Sequence, residues 1–396
     1  MVSGHSSASQ LLYANYAGVE EMVMGQAIVV KDRKVRYAVV GVGWISQNSF
    51  LPGVEHTGNS EVVALVTGHE EKAAKVGEKY GVESVYSYDE YDKLLDSKRI
   101  DAAYLATPNW DHVELAVKTL EAGVHLLLEK PMAVSVEECE RIIAASEKSG
   151  AKLMVAYRLH FEPGTLKAIE RVRKGEIGDI RMFSSTFSQQ VSGQNHRAHN
   201  GFWAGPVPDM GPYCINAVRN LFGAEPLEVY AMGVTTDSER FNMEDTVAVM
   251  LKFPSNRVAA FVLSYNGGDV DDYRIVGAKG SIFSDPAYQV GVAIEHEITV
   301  GKSKTSESFN KTDHFGGELK YFSECVIEGK QPEADGEEGM LDVRVLVAIE
   351  ESLRTNRPVP LAAYHRKRRP VGDQVQKLSS VKEPELVGSH KPSEGQ

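Results

Sequence analysis

Cysteine is scarce in this chain: Cys139, Cys214 and Cys325 are the whole complement, with no paired spacing. That excludes a disulfide framework and a structural zinc site built on cysteine pairs, and it suits a reducing compartment. Long apolar runs are missing too; none approaches the roughly 18 consecutive residues of a membrane span. Positive charge is in deficit, with 43 Lys and Arg against 55 Asp and Glu and a net charge of −12. A phosphate-backbone partner needs a basic face, so nucleic acid is not expected. The stretch Met1–Val30 has no basic start followed by an apolar core and a small-residue cleavage site, and no twin arginine, so a cytoplasmic protein is expected. What is present is 396 residues, 42% of them hydrophobic, which suits two packed domains better than one.

The chain is organised around Leu126-Leu127-Leu128-Glu129-Lys130-Pro131-Met132. Three leucines in a row read as a strand buried on both faces, as in a parallel sheet covered by helices. Glutamate, lysine and proline follow at its carboxyl end, the edge where open α/β sheets bind ligands.

Upstream, Val35–Val40 is a short apolar strand and Gly41-Val42-Gly43-Trp44-Ile45-Ser46 follows at once. The first glycine permits a tight turn and the second lets backbone approach a pyrophosphate, which the next helix N-terminus favours. Ser46 stands where a third glycine is common, and a small residue still allows close packing. The second strand, Val62–Val66, ends on Thr67-Gly68-His69, without the acid that NAD enzymes place on the ribose. Thr67 and Lys72 suit a 2′-phosphate, so NADP(H) is expected; the alternative is Glu70 or Glu71 turned onto a plain ribose. Further strands are read at Ile100–Ala106, closed by Thr107-Pro108-Asn109, at Val124–Leu128 and at Leu153–Ala156. Helices are read between them, one opened by a Ser135/Glu138 capping box. This predicts a doubly wound parallel Rossmann sheet over residues 34–157.

From Ile180 the pattern turns to strands: Ile180–Gln190, Leu227–Asp237, Asp245–Phe253, Arg257–Asn266, Tyr273–Val276 and Gly280–Asp285. Val247, Val249, Leu251 and Phe253 alternate, and Pro254-Ser255-Asn256 reads as a hairpin turn. The prediction is an α+β domain over 158–362 with a large open, mostly antiparallel sheet. Its last helices, His314–Glu328 and Glu337–Arg354, return to the first domain. An open sheet needs cover, and a second copy of the chain is the expected partner, as a homodimer or homotetramer. Residues 1–33 are an N-terminal arm, lying on a neighbour or frayed. Residues 363–396, with His365-Arg366-Lys367-Arg368-Arg369, read as a solvated polar tail.

Asp209 and Tyr213 are four apart, on one face of a helix, and Lys130 at the sheet edge can partner both. A sugar hydroxyl cannot lose hydride unless its proton also leaves. A phenol beside an ammonium has its anion favoured. Tyr213 is therefore the candidate general base, Lys130 the group that tunes it and bonds the reacting oxygen, and Asp209 the carboxylate that orients substrate or shuttles charge. A structural Asp–Lys pair under a core tyrosine is the alternative.

Gly41–Ser46, Glu129-Lys130-Pro131, Tyr157-Arg158 and Asp209-Met210-Gly211-Pro212-Tyr213 resemble the Gfo/Idh/MocA oxidoreductase family over roughly residues 34–362. Tyrosine at 213, with Thr67–Lys72, is similar to the glucose–fructose oxidoreductase branch. The resemblance implies tightly bound NADP, a pyranose oxidised at the anomeric carbon to a lactone, and a cis proline after Lys130. It also implies a homo-oligomer joined through the open sheets, with an N-terminal arm reaching a neighbour. Strand-end positions and resemblance together give Gly41, Gly43, Trp44, Ile45, Thr67, Gly68, Lys72, Tyr88, Pro108, Asn109, His112, Glu129, Lys130, Arg158 and Trp203 as cofactor residues. Lys130, Arg158, His196, Asp209 and Tyr213 are the substrate residues. Ala204 follows Trp203 where the branch often has arginine. The polar loop Gln189–Phe202, with His196, Arg197 and His199, is expected to line the sugar pocket; two histidines without a third ligand give no metal site. Other readings are a free-coenzyme aldose or dihydrodiol dehydrogenase, and a sugar- or nucleotide-sensing regulator that kept only the fold.

Overall fold

The structure, a computed structural model, describes residues 33–394; the expected N-terminal arm lies outside them but for its last residue. The first sheet takes β1 (Val35–Val40), β2 (Ser60–Val66), β3 (Val85–Tyr86), β4 (Ala102–Leu105), β5 (His125–Glu129) and β6 (Leu153–Ala156) in the order β3-β2-β1-β4-β5-β6. All its pairings are parallel. Leu126, Leu127 and Leu128 are buried on both faces, as the leucine run requires. The crossover helices are α1 (Leu51–Thr57), α2 (Glu70–Tyr80), α3 (Tyr91–Asp96), α4 (His112–Glu121) and α5 (Val136–Ser149). The order reverses between β1 and β4, and crevices at that point bind ligands in such sheets.

Gly41 sits at that reversal with φ +92°, and a Cβ there would lie 2.5 Å from the Ala106 carbonyl oxygen. Only glycine makes this turn. Ser46 is buried and its Oγ donates to the Gly41 carbonyl at 2.6 Å, so the serine ties down the turn. The Lys130–Pro131 peptide is cis.

After α6 (Pro163–Arg173) come β7 (Ile180–Gln190), α7 (Pro206–Phe222), β8 (Glu228–Val234), β9 (Thr246–Phe253), β10 (Arg257–Ser264), β11 (Asn266–Gly277), β12 (Gly280–Ser284), β13 (Glu295–Val300) and β14 (Ser303–Ser308). With β15 (Val359–Pro360) they form a nine-stranded sheet ordered β14-β13-β12-β11-β7-β10-β9-β8-β15. It is antiparallel except where β7 meets β10. One face packs on α7 through Phe183, Val249, Phe261 and Leu263. The other leaves Met182, Met232, Met250, Val258 and Val262 exposed. The expected strand Tyr273–Val276 is only part of β11; β13 and β14 were not anticipated.

Helix α8 (His314–Glu328) packs back on the first sheet, where Ser323 Oγ lies 2.8 Å from both Tyr37 Oη and Ser60 Oγ. Helix α9 (Gly336–Thr355) brings Glu338 and Asp342 to the fully buried Arg219, which also pairs with Glu225. Among the described residues no helix is long and apolar enough to cross a membrane.

The solvated tail is a correction. Arg366 is buried and donates to Asp335 at 2.8 Å and to the Glu333 carbonyl at 2.6 Å. Arg369 reaches Glu225 at 2.6 Å. The basic run is thus neutralised by acids near the start of α9 and the end of α7. Beyond it, Asp313 N–H donates to the Leu378 carbonyl at 3.2 Å, and the chain continues across the molecule as a strap.

Candidate active site

Three elements converge at the carboxyl edge of β5. Lys130 leaves the strand end, and its Nζ donates to the Asp209 carbonyl at 2.6 Å and to Asp209 Oδ1 at 3.2 Å. Asp209 and Tyr213 occupy one face near the start of α7. The ammonium lies 5.0 Å from the Tyr213 ring centroid, over its face. The phenol oxygen is approached by Arg158, whose Nε donates to it at 3.3 Å and whose guanidinium carbon lies 4.9 Å from the same ring. The lysine therefore acts on the ring face and the arginine on the hydroxyl, a division of labour not anticipated. Arg158 is itself buried, and its other nitrogens reach His314 Nδ1 at 3.3 Å and the Tyr288 carbonyl.

Asp209 has two more partners. Arg197 Nε lies 3.2 Å and Tyr265 Oη 2.9 Å from its Oδ2. Burial alone would raise its pKa, but Arg197 and Lys130, helped by the Tyr265 hydroxyl, outweigh it and hold the carboxyl well below the usual range. For Lys130, burial favours the neutral amine; Asp209, Tyr213 and Glu129 outweigh that, and its pKa is raised. Both groups thus stay charged, as carboxylate and ammonium. Neither is then suited to taking up or giving up a proton.

A cavity of about 550 Å³ opens beside this cluster, lined by Trp44, Arg158, Arg197, Asp209 and Tyr213 among others. Its size is ordinary for a small-molecule site. Lys130 does not line it, which corrects its expected contact with the reacting oxygen; with Tyr213 it lines a separate small void of about 30 Å³.

The nucleotide side carries its own marks. Trp44 Nε1, Thr107 Oγ1 and Asn109 Oδ1 are buried without a hydrogen-bond partner among the described residues. Gly43 has open space where a Cβ would be. Buried polar atoms are rarely left unpaired, and a donor, a hydroxyl and an amide oxygen around a tight glycine turn fit a dinucleotide's phosphates and ribose hydroxyls. No carboxylate stands between Val66 and Gly68, and Glu70 and Glu71 are exposed on the first turn of α2. Thr67 is buried, and Tyr88 lies within 3.7 Å of a Cβ built on Gly68. Lys72 is half-buried, its stem against Gly388. Ile45 begins the first helical turn and Pro108 precedes the 3₁₀ turn at Asn109. Asn109 Nδ2 donates to the Trp203 carbonyl at 2.8 Å, tying this edge to the substrate loop.

Three expected residues stand away from the cavity or have other work. His112 is buried with Nδ1 3.1 Å from the Pro131 carbonyl and Nε2 3.0 Å from the Thr107 carbonyl. Burial lowers its pKa to about 4, so the imidazole is neutral and its one N–H serves one of these two carbonyls. His196 is exposed and does not line the cavity; Arg197 does. The reason is the 3₁₀ turn His196–Ala198, capped by Asn195, which directs neighbouring side chains apart. Glu129 is buried, accepting from Tyr104 Oη at 2.7 Å and Lys130 N–H at 3.2 Å; it positions the strand end.

Arg197, Tyr265, Tyr288 and His314 are site residues that spacing did not single out. Only Arg197 carried a hint, as the cation of a polar loop. Among the described residues no three His, Cys, Asp or Glu side chains gather as metal donors.

Comparison with known proteins agrees with this geometry. The family description "Oxidoreductase family, NAD-binding Rossmann fold" (GFO_IDH_MocA) matches residues 35–157, and "GFO/IDH/MocA C-terminal domain" matches residues 165–283. The chain is similar to the crystal structure of an aldose-aldose oxidoreductase from Caulobacter crescentus, with a TM-score of 0.78 and 33% identity. That match covers 83% of this chain and 100% of the other. It is 29% identical to a D-xylose 1-dehydrogenase [NADP(+)] of Haloarcula marismortui, covering 83% of this chain and 94% of that protein. It is 26% identical to a trans-1,2-dihydrobenzene-1,2-diol dehydrogenase of Sus scrofa, over 74% of this chain and 89% of that one.

Proposed function

The chain belongs to the GFO/IDH/MocA oxidoreductase family, and from that premise we propose that it is an NADP(H)-dependent sugar oxidoreductase. One observation carries the reading: Tyr213, Asp209 and Arg158 line the same cavity as Trp44, the residue that follows the glycine turn. A polyol bound there has a proton acceptor on one side and the nucleotide edge on the other. NADP(H), when bound, accepts or supplies the hydride.

The chain's own residues do the rest. Asp209, fixed as a carboxylate by Arg197, Lys130 and Tyr265, accepts hydrogen bonds from sugar hydroxyls and sets their orientation. Tyr213, as phenolate, takes the proton of the reacting hydroxyl while the carbon beneath it gives up hydride. The Arg158 guanidinium lies beside the phenol oxygen and the Lys130 ammonium over the ring, and both hold Tyr213 at the cavity wall. The reacting carbon is an aldose C1, giving a lactone. The cofactor is recycled in place by a second sugar, as an aldose–ketose or aldose–aldose exchange. The missing carboxylate at the end of β2, with Thr67 and Lys72 there, supports NADP over NAD. The exposed face of Met182, Met232, Met250, Val258 and Val262 supports a second copy as its cover.

The test is a sugar panel in the reduced-nicotinamide band. An aldose should generate the band, and a second sugar should remove it. Equal or better kcat/KM with NAD than with NADP would overturn the coenzyme assignment; no response to any aldose would overturn the substrate class. A second reading, a dehydrogenase that releases NADPH to solution, has the dihydrodiol dehydrogenase similarity in its favour. Steady NADPH accumulation without a second sugar would choose it.

A further inference from the structure

The strap after Leu378 is the feature that the site description does not use. It pairs with the α8 end of the cleft through the Thr312–Ser379 bridge. It then crosses to the first domain. There Gln47 clasps Val387 with both halves of its amide: Nε2 donates to the Val387 carbonyl at 3.0 Å, and Oε1 accepts from the Val387 N–H at 2.7 Å. The same Nε2 reaches Ser389 Oγ at 3.1 Å and the Val42 carbonyl, inside the glycine turn, at 3.2 Å. Lys79 donates to the Glu385 carbonyl, and Val387 packs on the core of the first domain. Gly388 lies on the stem of Lys72. The strap then returns to the second domain, where Ser192 N–H donates to the Pro392 carbonyl at 3.0 Å. On the way Val381, Lys382, Lys391 and Ser393 form part of the cavity wall, and Lys391 pairs with Glu383 across the loop at 2.5 Å.

This segment touches the first helical turn after Gly43, the start of α2, and the substrate loop. Those are the two flanks of the nucleotide edge and the far wall of the sugar cavity. We propose that residues 380–394 are a built-in retaining element, which lies across the bound dinucleotide and must let go of Gln47 before the cofactor can leave. The proposal rests on the oxidoreductase reading and deepens it: retention is what lets a second sugar, rather than fresh coenzyme, complete the cycle. The strap is held through backbone groups, so its polar sequence is compatible with a fixed path. Its exchange between closed and open positions requires the hydrogen bonds from Gln47, Lys79 and Ser192 and the packing of Val387 to be released, not a core to unfold.

The experiment measures NADP(H) retention and its dissociation rate in the full-length protein, in a chain ending after Leu378, and in Val387→Asp. The shortened chain keeps the Arg366 and Arg369 contacts. The substitution puts a charge where Val387 packs and keeps the length. Nucleotide carried through gel filtration is read by absorbance, and the off-rate by displacement with excess NADP. The expected result is that the full-length protein keeps its nucleotide, while both variants release it at least about tenfold faster, the equivalent of ~1.4 kcal/mol. Unchanged off-rates in two folded variants would overturn the proposal and leave the sugar reading standing. Tighter or faster cofactor uptake by the shortened chain would overturn it as well, marking the strap as an obstruction. Failure of the full-length protein to bind NADP(H) at all would remove both.

Discussion

Helix α7 carries two charge clusters less than about three turns apart, and they are built to opposite ends. Near its start, Asp209 meets Lys130, Arg197 and Tyr265 at the wall of a cavity. Near its end, Arg219 meets Glu225, Glu338 and Asp342 with no exposure on the arginine, and Asn216 and Asn220 complete the set. Each holds one carboxylate low by arginine, Asp209 in the first and Glu338 in the second, and that direction alone would not separate them. What separates them is access. The first cluster shares its cavity with Trp44; the second spends its charges on locking α7, α9 and the C-terminal run together. A shifted carboxylate marks chemistry only where a ligand can reach it.

That contrast can be broken from either side. Tyr213→Phe removes the proton acceptor and little else, so kcat should fall by about 10²–10⁴-fold while the urea midpoint stays near that of the parent. A matching loss of stability would make Tyr213 a core residue. Arg219→Met should do the reverse. It strands buried carboxylates, so denaturation should show a loss of about 3–5 kcal/mol, with per-site activity of the folded fraction retained. Acid should act on the second cluster. Burial would raise the Glu338 pKa, but Arg219 and Arg366 outweigh it and lower it. Folded protein then stays ionised where the unfolded chain binds a proton. The stability it contributes is present above the ordinary Glu value of ~4.3 and lost as pH falls below it. Asp342, which burial pushes upward, is protonated in both states below ~3.9, so within this cluster the acid limb belongs to Glu338, while Asp209, also held low, adds one of its own from the first cluster. Urea midpoints between about pH 5 and about pH 2 should fall less steeply in Glu338→Gln than in the parent. The smallest effect is expected at the surface pair Arg141–Glu114, 2.8 Å apart and exposed on both sides. Arg141→Ala should change stability by less than about 1 kcal/mol, and a larger change would mean that exposure is a poor guide here.

The parts legible in the sequence are those whose cause is local. Three leucines force a buried strand, Gly41 forces the turn, and the spacing of Asp209 and Tyr213 puts them on one helix face. What stayed hidden depends on partners far along the chain. β14, Ser303–Ser308, is a polar edge strand with little apolar alternation to reveal it, and β3 is two residues long. The strap looked solvated because its residues are polar, yet it is held by its backbone and, before it, by arginines whose acids lie up to 144 positions away. His196 and Arg197 are neighbours in one polar loop, and spacing does not tell which faces the cavity; in the 3₁₀ turn there Arg197 lines the wall and His196 does not.

The account turns on Tyr213 accepting the sugar's proton beside the nicotinamide. The direct measurement is single-turnover hydride transfer from an aldose, followed in the reduced-nicotinamide band, in parent and Tyr213→Phe at equal cofactor occupancy. The prediction is a band that forms in the parent and forms at least about 10²-fold more slowly in the variant. Equal rates in the two proteins would contradict it.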